Sequence, residues 1–180
     1  MPRIRPEKPE DIAAIHVVNE AAFPTRAEAD LVDTLRDEGA HVLSLVAVDG
    51  DRVVGHILFS PVHIETESGA LDALGLGPMA VLPARQRGGI GSKLVTTGLT
   101  QCTALDYPAV VVLGHPDYYP RFGFVPAHRF GITCEFPSPP EAFMIRELQA
   151  GALAGTSGIA KYHAAFDAVS TDSSPAVCAV

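Results

Sequence analysis

The chain has 180 residues, 47% hydrophobic and 19% charged, with a formal net charge of −8. That length and composition suit one domain, or at most a domain with a small appendage, and make a core rather than disorder the default, and the acidic balance lacks the basic field of a nucleic-acid binder. Three scattered cysteines, Cys102, Cys134 and Cys178, give neither a disulfide framework nor paired zinc-ligand spacing. With no apolar signal core and no run of membrane-spanning length, the expectation is a reduced, cytoplasmic protein.

In chain order, PRIRPEKPED predicts a short strand ending in a turn, with Pro9, Glu10 and Asp11 suited to a first helical turn. DIAAIHVVNEAAF has Ile12, Ile15, Val18 and Ala22 at helical spacing, and AEADLVDTLRDEG predicts a second helix with Leu31, Val32 and Leu35 inward and Gly39 as its stop. VLSLVAV and RVVGHILFSPVHI flank Asp49-Gly50, a pair that tolerates positive φ, and so predict a hairpin. ESG is a further turn before the extended run ALDALGLGPMAVLP. A glycine-rich stretch then leads into GSKLVTTGLTQCTALD, a helix whose apolar side carries Leu94, Leu99 and Leu105.

PAVVVLG is a short buried strand, HPDYYPRFG a short helix or turn, and FVPAHRFGITCEF, EAFMIREL and GIAKYHAAF late strands around loops. One domain over residues 1–170 is expected, with a loose tail at 171–180. The order of elements is neither regular βαβ alternation nor all-β. It predicts an α/β (α+β) fold, with a mixed, mostly antiparallel central sheet of about six to seven strands flanked by helices.

The segment MAVLPARQRGGIGSKLV (79–95) places three glycines and several cations between a strand and a helix. The Walker pattern fails, because Gly91-Ser92-Lys93 puts the lysine one place late. Gly75-Leu76-Gly77-Pro78-Met79-Ala80 has dinucleotide-fingerprint spacing, but an extended segment follows where a helix should begin. Gln86-Arg87-Gly88-Gly89-Ile90-Gly91 fits a third template, Q/R-x-x-G-x-G/A between strand and helix. Gly89 and Gly91 allow close backbone approach to a ligand. The helix start offers free N–H groups and a positive dipole end, and Arg85, Arg87 and Lys93 add charge. A pyrophosphate satisfies all three features. An ordinary glycine-rich turn with solvated arginines is the competing reading.

On this segment and its strand-Pro83 context the chain resembles the GNAT N-acetyltransferase superfamily. DYYPRFGF is similar to the family's Y-x-x-x-G-F phrase after the fifth strand, with Tyr119, Gly123 and Phe124 at those positions. The order of elements matches over roughly residues 2 to 136, and GHPDYYPRFGF with GIAKYHAAFD is similar to a bacterial subgroup of predicted N-acetyltransferases. The resemblance implies acetyl-coenzyme A (acetyl-CoA) as cosubstrate. Met79, Ala80 and Val81 would form the edge that pairs with the pantetheine arm, with a backbone N–H there polarising the thioester carbonyl. Gln86, Arg87, Gly88, Gly89, Ile90, Gly91 and Ser92 would cradle the pyrophosphate, with Gly88 the most replaceable glycine. Tyr119 would protonate the leaving thiolate, since a phenol of pKa about 10 stays protonated where a thiol of about 8.5 begins to ionise. One departure is Leu113-Gly114-His115-Pro116, where many relatives carry an asparagine that helps hold the coenzyme.

An amine acceptor of pKa about 10.4 needs on the order of 4 kcal/mol to lose its proton at pH 7, so a base or a water relay is expected. Candidates are Glu28, His115, His56, His63 and Asp117, and a dipole-favoured helix carboxylate is an equal reading of Glu28. No Cys-His or G-x-S-x-G nucleophile is recognisable, so direct transfer to a primary amine in a ternary complex is expected, as a monomer or homodimer and without metal. The alternative is a non-catalytic acyl-CoA sensor or interaction domain.

Overall fold

The computed structural model of the chain describes residues 1–170 and 178–179, the last pair as backbone. Side-chain alternation explains its layers. Along β2 (Leu43–Asp49), Leu43, Leu45 and Ala47 pack toward one face of the sheet and Val46 and Val48 toward the other. The first face receives α3 (Ile90–Ala104) through Ile90, Leu94, Val95, Leu99 and Cys102. The second receives α1 (Ile12–Ala22) and α2 (Ala27–Asp37) through Ile15, Val18, Leu31, Val32 and Leu35. Each such buried aliphatic side chain contributes about 1.5–3 kcal/mol. At Gly98 the helix backbone sits so close to the sheet that a Cβ would lie 2.4 Å from the Phe59 ring.

The sequence places these helices well, with two differences. Ile12 and Leu105 stand at helix ends beyond the core and are 37% and 51% exposed. Gly39, at φ +64°, ends the α2 segment as expected.

Seven strands follow one another across the sheet: β1 (Arg3–Pro6), β2, β3 (Arg52–Thr66), β4 (Gly69–Val81), β5 (Ala109–Leu113), β8 (Phe143–Glu147) and β6 (Val125–Pro126). Among the described residues three short strands lie off that path: β7 (Ile132–Cys134), β9 (Gly158–Lys161) and β10 (Cys178–Ala179). The hairpin at Asp49-Gly50 forms, with Gly50 at φ +61°. β3 is long enough to pair with β2 over its first half and with β9 at His63–Glu65. GIAKYHAAF is a strand only to Lys161; Ala164–Phe166 is a 3-10 turn that runs into α4 (Asp167–Ser170). Of the tail expected at 171–180, residues 171–177 and 180 lie outside the described residues.

The sheet is antiparallel except where β4 runs beside β5, β9 beside β7 and β10 beside β4. The β4–β5 ladder is short, spanning Leu74–Leu76 against Val110–Val112. Beyond it β4 takes a register shift opposite Ile57–Phe59, at the cis Gly77-Pro78 bond, and continues as Met79–Val81 without β5.

Candidate active site

Past Leu76 one edge of β4 stays paired with β3, at Ile57↔Met79, His56↔Ala80 and Gly55↔Val81. The amide of Leu82 donates to the Val54 carbonyl (3.0 Å). By antiparallel alternation Leu82 and Ala80 then spend their main-chain groups on β3, while Met79 and Val81 turn theirs to the opposite edge. Gln86 closes the end of that edge: its side-chain amide donates to the Val81 carbonyl at 3.1 Å. The glutamine of the sequence motif is thus a strut between loop and strand as well as a wall of the cavity beside it.

That cavity, of about 390 Å³, is lined by Val81, Arg85, Gln86, Arg87, Gly89, Ile90, Gly91, Ser92, Tyr118 and Arg121. The loop turns sharply into α3 because Arg87 and Gly89 both adopt positive φ, +60° and +81°. Glycine takes that conformation at little cost, whereas a side chain there is strained by about 1–2 kcal/mol. No side chain caps the helix at Gly89, so its first amides are left for a ligand. A Cβ at Gly88 would meet only the Arg85 carbonyl at 3.5 Å, an ordinary contact. An open helix N-terminus, a φ-demanding glycine and three guanidinium groups in one cavity fit a pyrophosphate.

The cations divide differently from the sequence expectation. Lys93 turns away from the cavity, its Nζ donating to the Pro2 carbonyl at 2.9 Å. Arg85 pairs with Asp49 across the loop. Arg121, which the sequence reading missed, joins the cavity and lies 4.6 Å over the Tyr118 ring. Tyr118 was missed as well; its hydroxyl is 3.4 Å from Ser92 Oγ. The signal was available in the spacing, since Tyr118, which flanks the 3-10 turn, and Arg121 within it are three residues apart and line the same cavity.

Tyr119 opens the 3-10 turn Tyr119–Phe122 after β5 and is fully buried, its ring centroid 5.6 Å from Phe124 and 5.1 Å from Tyr118. Glu28 sits in the first turn of α2, 8% exposed, on the sheet face that carries Ala80. Arg26, two residues before it, pairs with Asp30 at 3.2 Å. His115 is exposed, and its carbonyl accepts the amides of Tyr118 (3.0 Å) and Tyr119 (3.4 Å), a turn-forming role. Asp117 is exposed next to it, and His63 is an exposed β3 residue paired with Asp72 at 2.6 Å.

His56 is wholly buried in a polar chain. Asn19 Nδ2 lies 3.1 Å from its Nδ1 and also donates to the Ile15 carbonyl at 2.9 Å; Ser44 Oγ lies 2.9 Å from its Nε2. Ser44 in turn donates to Glu7, which Arg36 grips with two bonds of 3.0 and 3.1 Å. Burial, outweighing the Glu7 charge, pushes the His56 pKa down to about 3. The neutral ring accepts at Nδ1 and donates at Nε2, which satisfies every link from Asn19 to Glu7. Burial raises the Glu7 carboxyl, but the Arg36 and Ser44 bonds outweigh it and hold the group below the usual range. His56 is therefore a neutral, fully engaged framework residue and not a base poised near pH 7.

Burial pushes the Cys102 thiol up to about 12 and the Cys134 thiol up to about 11, which disfavours the thiolate at neutral pH. Among the described residues no cluster of three His, Cys, Asp or Glu is placed to hold a metal, and no helix is long and apolar enough to cross a membrane.

A sequence model of the acetyltransferase (GNAT) domain matches residues 3–127. The chain is 38% identical over 165 residues to the uncharacterized N-acetyltransferase YhbS of Escherichia coli (strain K12), covering 91% of this chain and 98% of that one. The fold superposes on the crystal structure of YhbS from Escherichia coli in complex with CoA with a TM-score of 0.89 at 34% identity, covering 98% and 95% of the two chains. A GNAT family acetyltransferase from Brucella melitensis in complex with acetyl-CoA gives a TM-score of 0.76 at 38% identity, over 93% of this chain and 99% of that one. The sequence match, the splayed strand and the glycine loop agree: the chain belongs to the GNAT acetyltransferase family.

Proposed function

We propose that the protein is an acetyl-CoA-dependent N-acetyltransferase acting on a primary amine of a small molecule or peptide. The observation that carries this is the cavity of about 390 Å³ at the free end of β4, where Gly89, the start of α3 and Arg87 and Arg121 meet. The relatives with solved structures hold CoA or acetyl-CoA. Their naming as transferases, with the family match, speaks against the non-catalytic sensor.

In this reading the loop from Gln86 to Ser92 and Arg121 hold the pyrophosphate, and the Met79–Val81 edge takes the pantetheine arm as an added strand. The neutral amine nitrogen attacks the thioester carbonyl carbon. A C–N bond forms, the C–S bond breaks, and its electron pair leaves on sulfur. Tyr119 gives that sulfur its phenolic proton, and Glu28, directly or through water, takes the proton the amine sheds. His115 contributes by shaping the turn that carries Tyr119.

The test is thiol release from acetyl-CoA against a panel of amines, amino acids, polyamines, aminoglycosides and peptide N-termini, together with thermal shift by acetyl-CoA. Protection by the coenzyme and turnover on at least one amine class are expected, with Gly91→Glu losing both. The absence of any protection at millimolar acetyl-CoA refutes the assignment.

A further inference from the structure

The free edge of β4 is engaged within the chain itself. Cys178–Ala179 runs parallel to β4, in register Cys178↔Met79 and Ala179↔Ala80. At those same two residues β3 already occupies the other edge, through Ile57↔Met79 and His56↔Ala80. β10 therefore lies on the side that β5 vacates after Leu76, the side to which Met79 and Val81 turn their main-chain groups.

We propose that the chain's own strand Cys178–Ala179 and the pantetheine arm of acetyl-CoA compete for this one edge, making the C-terminal segment a built-in competitive brake on coenzyme binding. The proposal rests on the coenzyme reading given above. A strand edge offers one set of N–H and C=O groups, and a neighbour occupies it at about 4.8 Å, so two extended chains do not share it. Because the Gln86 side chain already takes the Val81 carbonyl, the groups left are few, and β10 is in register with the first of them, at Met79.

The brake is tethered. Cys178–Ala179 belongs to the same chain as β4, so its competition for the edge does not depend on protein concentration. Coenzyme binding then needs the strand displaced, and the apparent Kd exceeds the intrinsic one by the inverse of the displaced fraction.

The test compares CoA titrations by calorimetry of three proteins: the full chain, the full chain carrying Cys178→Pro and Ala179→Pro, and the chain ended at Ser170. Proline removes the N–H groups that a β4 pairing needs. Both altered proteins are expected to bind CoA about threefold or more tightly than the full chain. A synthetic peptide of residues 171–180, added to the double-proline protein, is expected to raise the apparent CoA Kd in proportion to its concentration. It should also raise the KM for acetyl-CoA and leave kcat unchanged.

Equal CoA affinity in all three proteins overturns the brake and leaves the coenzyme site standing, as does simultaneous binding of peptide and CoA. If none of the three binds CoA, the coenzyme reading itself falls and takes the brake with it.

Discussion

Gly114→Ala probes the turn that carries the candidate acid. Gly114 follows β5, and a Cβ built there would lie 2.4 Å from Tyr119 Cε2 and 2.9 Å from Cδ2, where ordinary contact begins near 3.4 Å. The ring has to retreat by about 1 Å, and Phe124 and Tyr118 wall it in at 5.6 and 5.1 Å between centroids. Overpacking of this kind costs about 1–3 kcal/mol. In a domain of this size that lowers Tm by roughly 2–10 °C, read by calorimetry. If the Tyr119 hydroxyl serves the leaving sulfur, a shift of about 1 Å also lowers kcat on the order of a hundredfold, with the KM for acetyl-CoA little changed. Tyr119→Phe separates the two effects: it keeps the ring, so it adds no overpacking, and is expected to lose about 10²–10⁴ in kcat with the KM for acetyl-CoA little changed. Wild-type Tm in Gly114→Ala refutes the packing argument. Wild-type kcat in Tyr119→Phe refutes the acid role.

Stability should respond to pH through His56. Its folded pKa, about 3, lies below the unfolded value of 6.5, so the stability it contributes is complete above pH 6.5 and is lost as pH falls from there toward 3. Denaturant melts should show a loss of about 2 kcal/mol between pH 7 and pH 5, and His56→Gln should flatten that slope; an unchanged slope in the variant refutes the assignment. Gly89→Ala, forced to φ +81°, should weaken CoA binding about five- to tenfold, while Gly88→Ala stays within about twofold by calorimetry. Gln86→Leu removes the bond to the Val81 carbonyl and should raise the coenzyme Kd about threefold to tenfold with kcat unchanged.

Local patterns carried most of the fold. Helical spacing located α1, α2 and α3, and Asp49-Gly50 located the hairpin, because these are decided within a few residues of chain. The glycine segment was legible for the same reason: left-handed φ at Gly89 and an open helix start are properties of the segment itself. What the sequence hid is non-local. Nothing in GHIL says which way His56 points, and only the arrival of Asn19 from α1 and Ser44 from β2 on the same side fixes its buried, neutral state. Lys93 looked like a phosphate ligand until the first strand brought the Pro2 carbonyl within 2.9 Å of it. The pairing of Cys178–Ala179 with β4 joins segments about a hundred residues apart, beyond the reach of any periodicity.

The parting of β4 from β5 after Leu76 has a consequence for the handling of the protein. A sheet normally keeps its unsatisfied edges at the periphery, where charges, prolines and short lengths guard them; here one is created beside Met79–Val81, all buried apolar residues. Whatever pairs with that edge, coenzyme or the chain's own last strand, also shields it from strands of other molecules. Preparations lacking both are expected to self-associate on storage, and added CoA is expected to keep them monodisperse, as light scattering would record. The opening proposed to take the coenzyme is thus also the place where the fold depends most on having a guest.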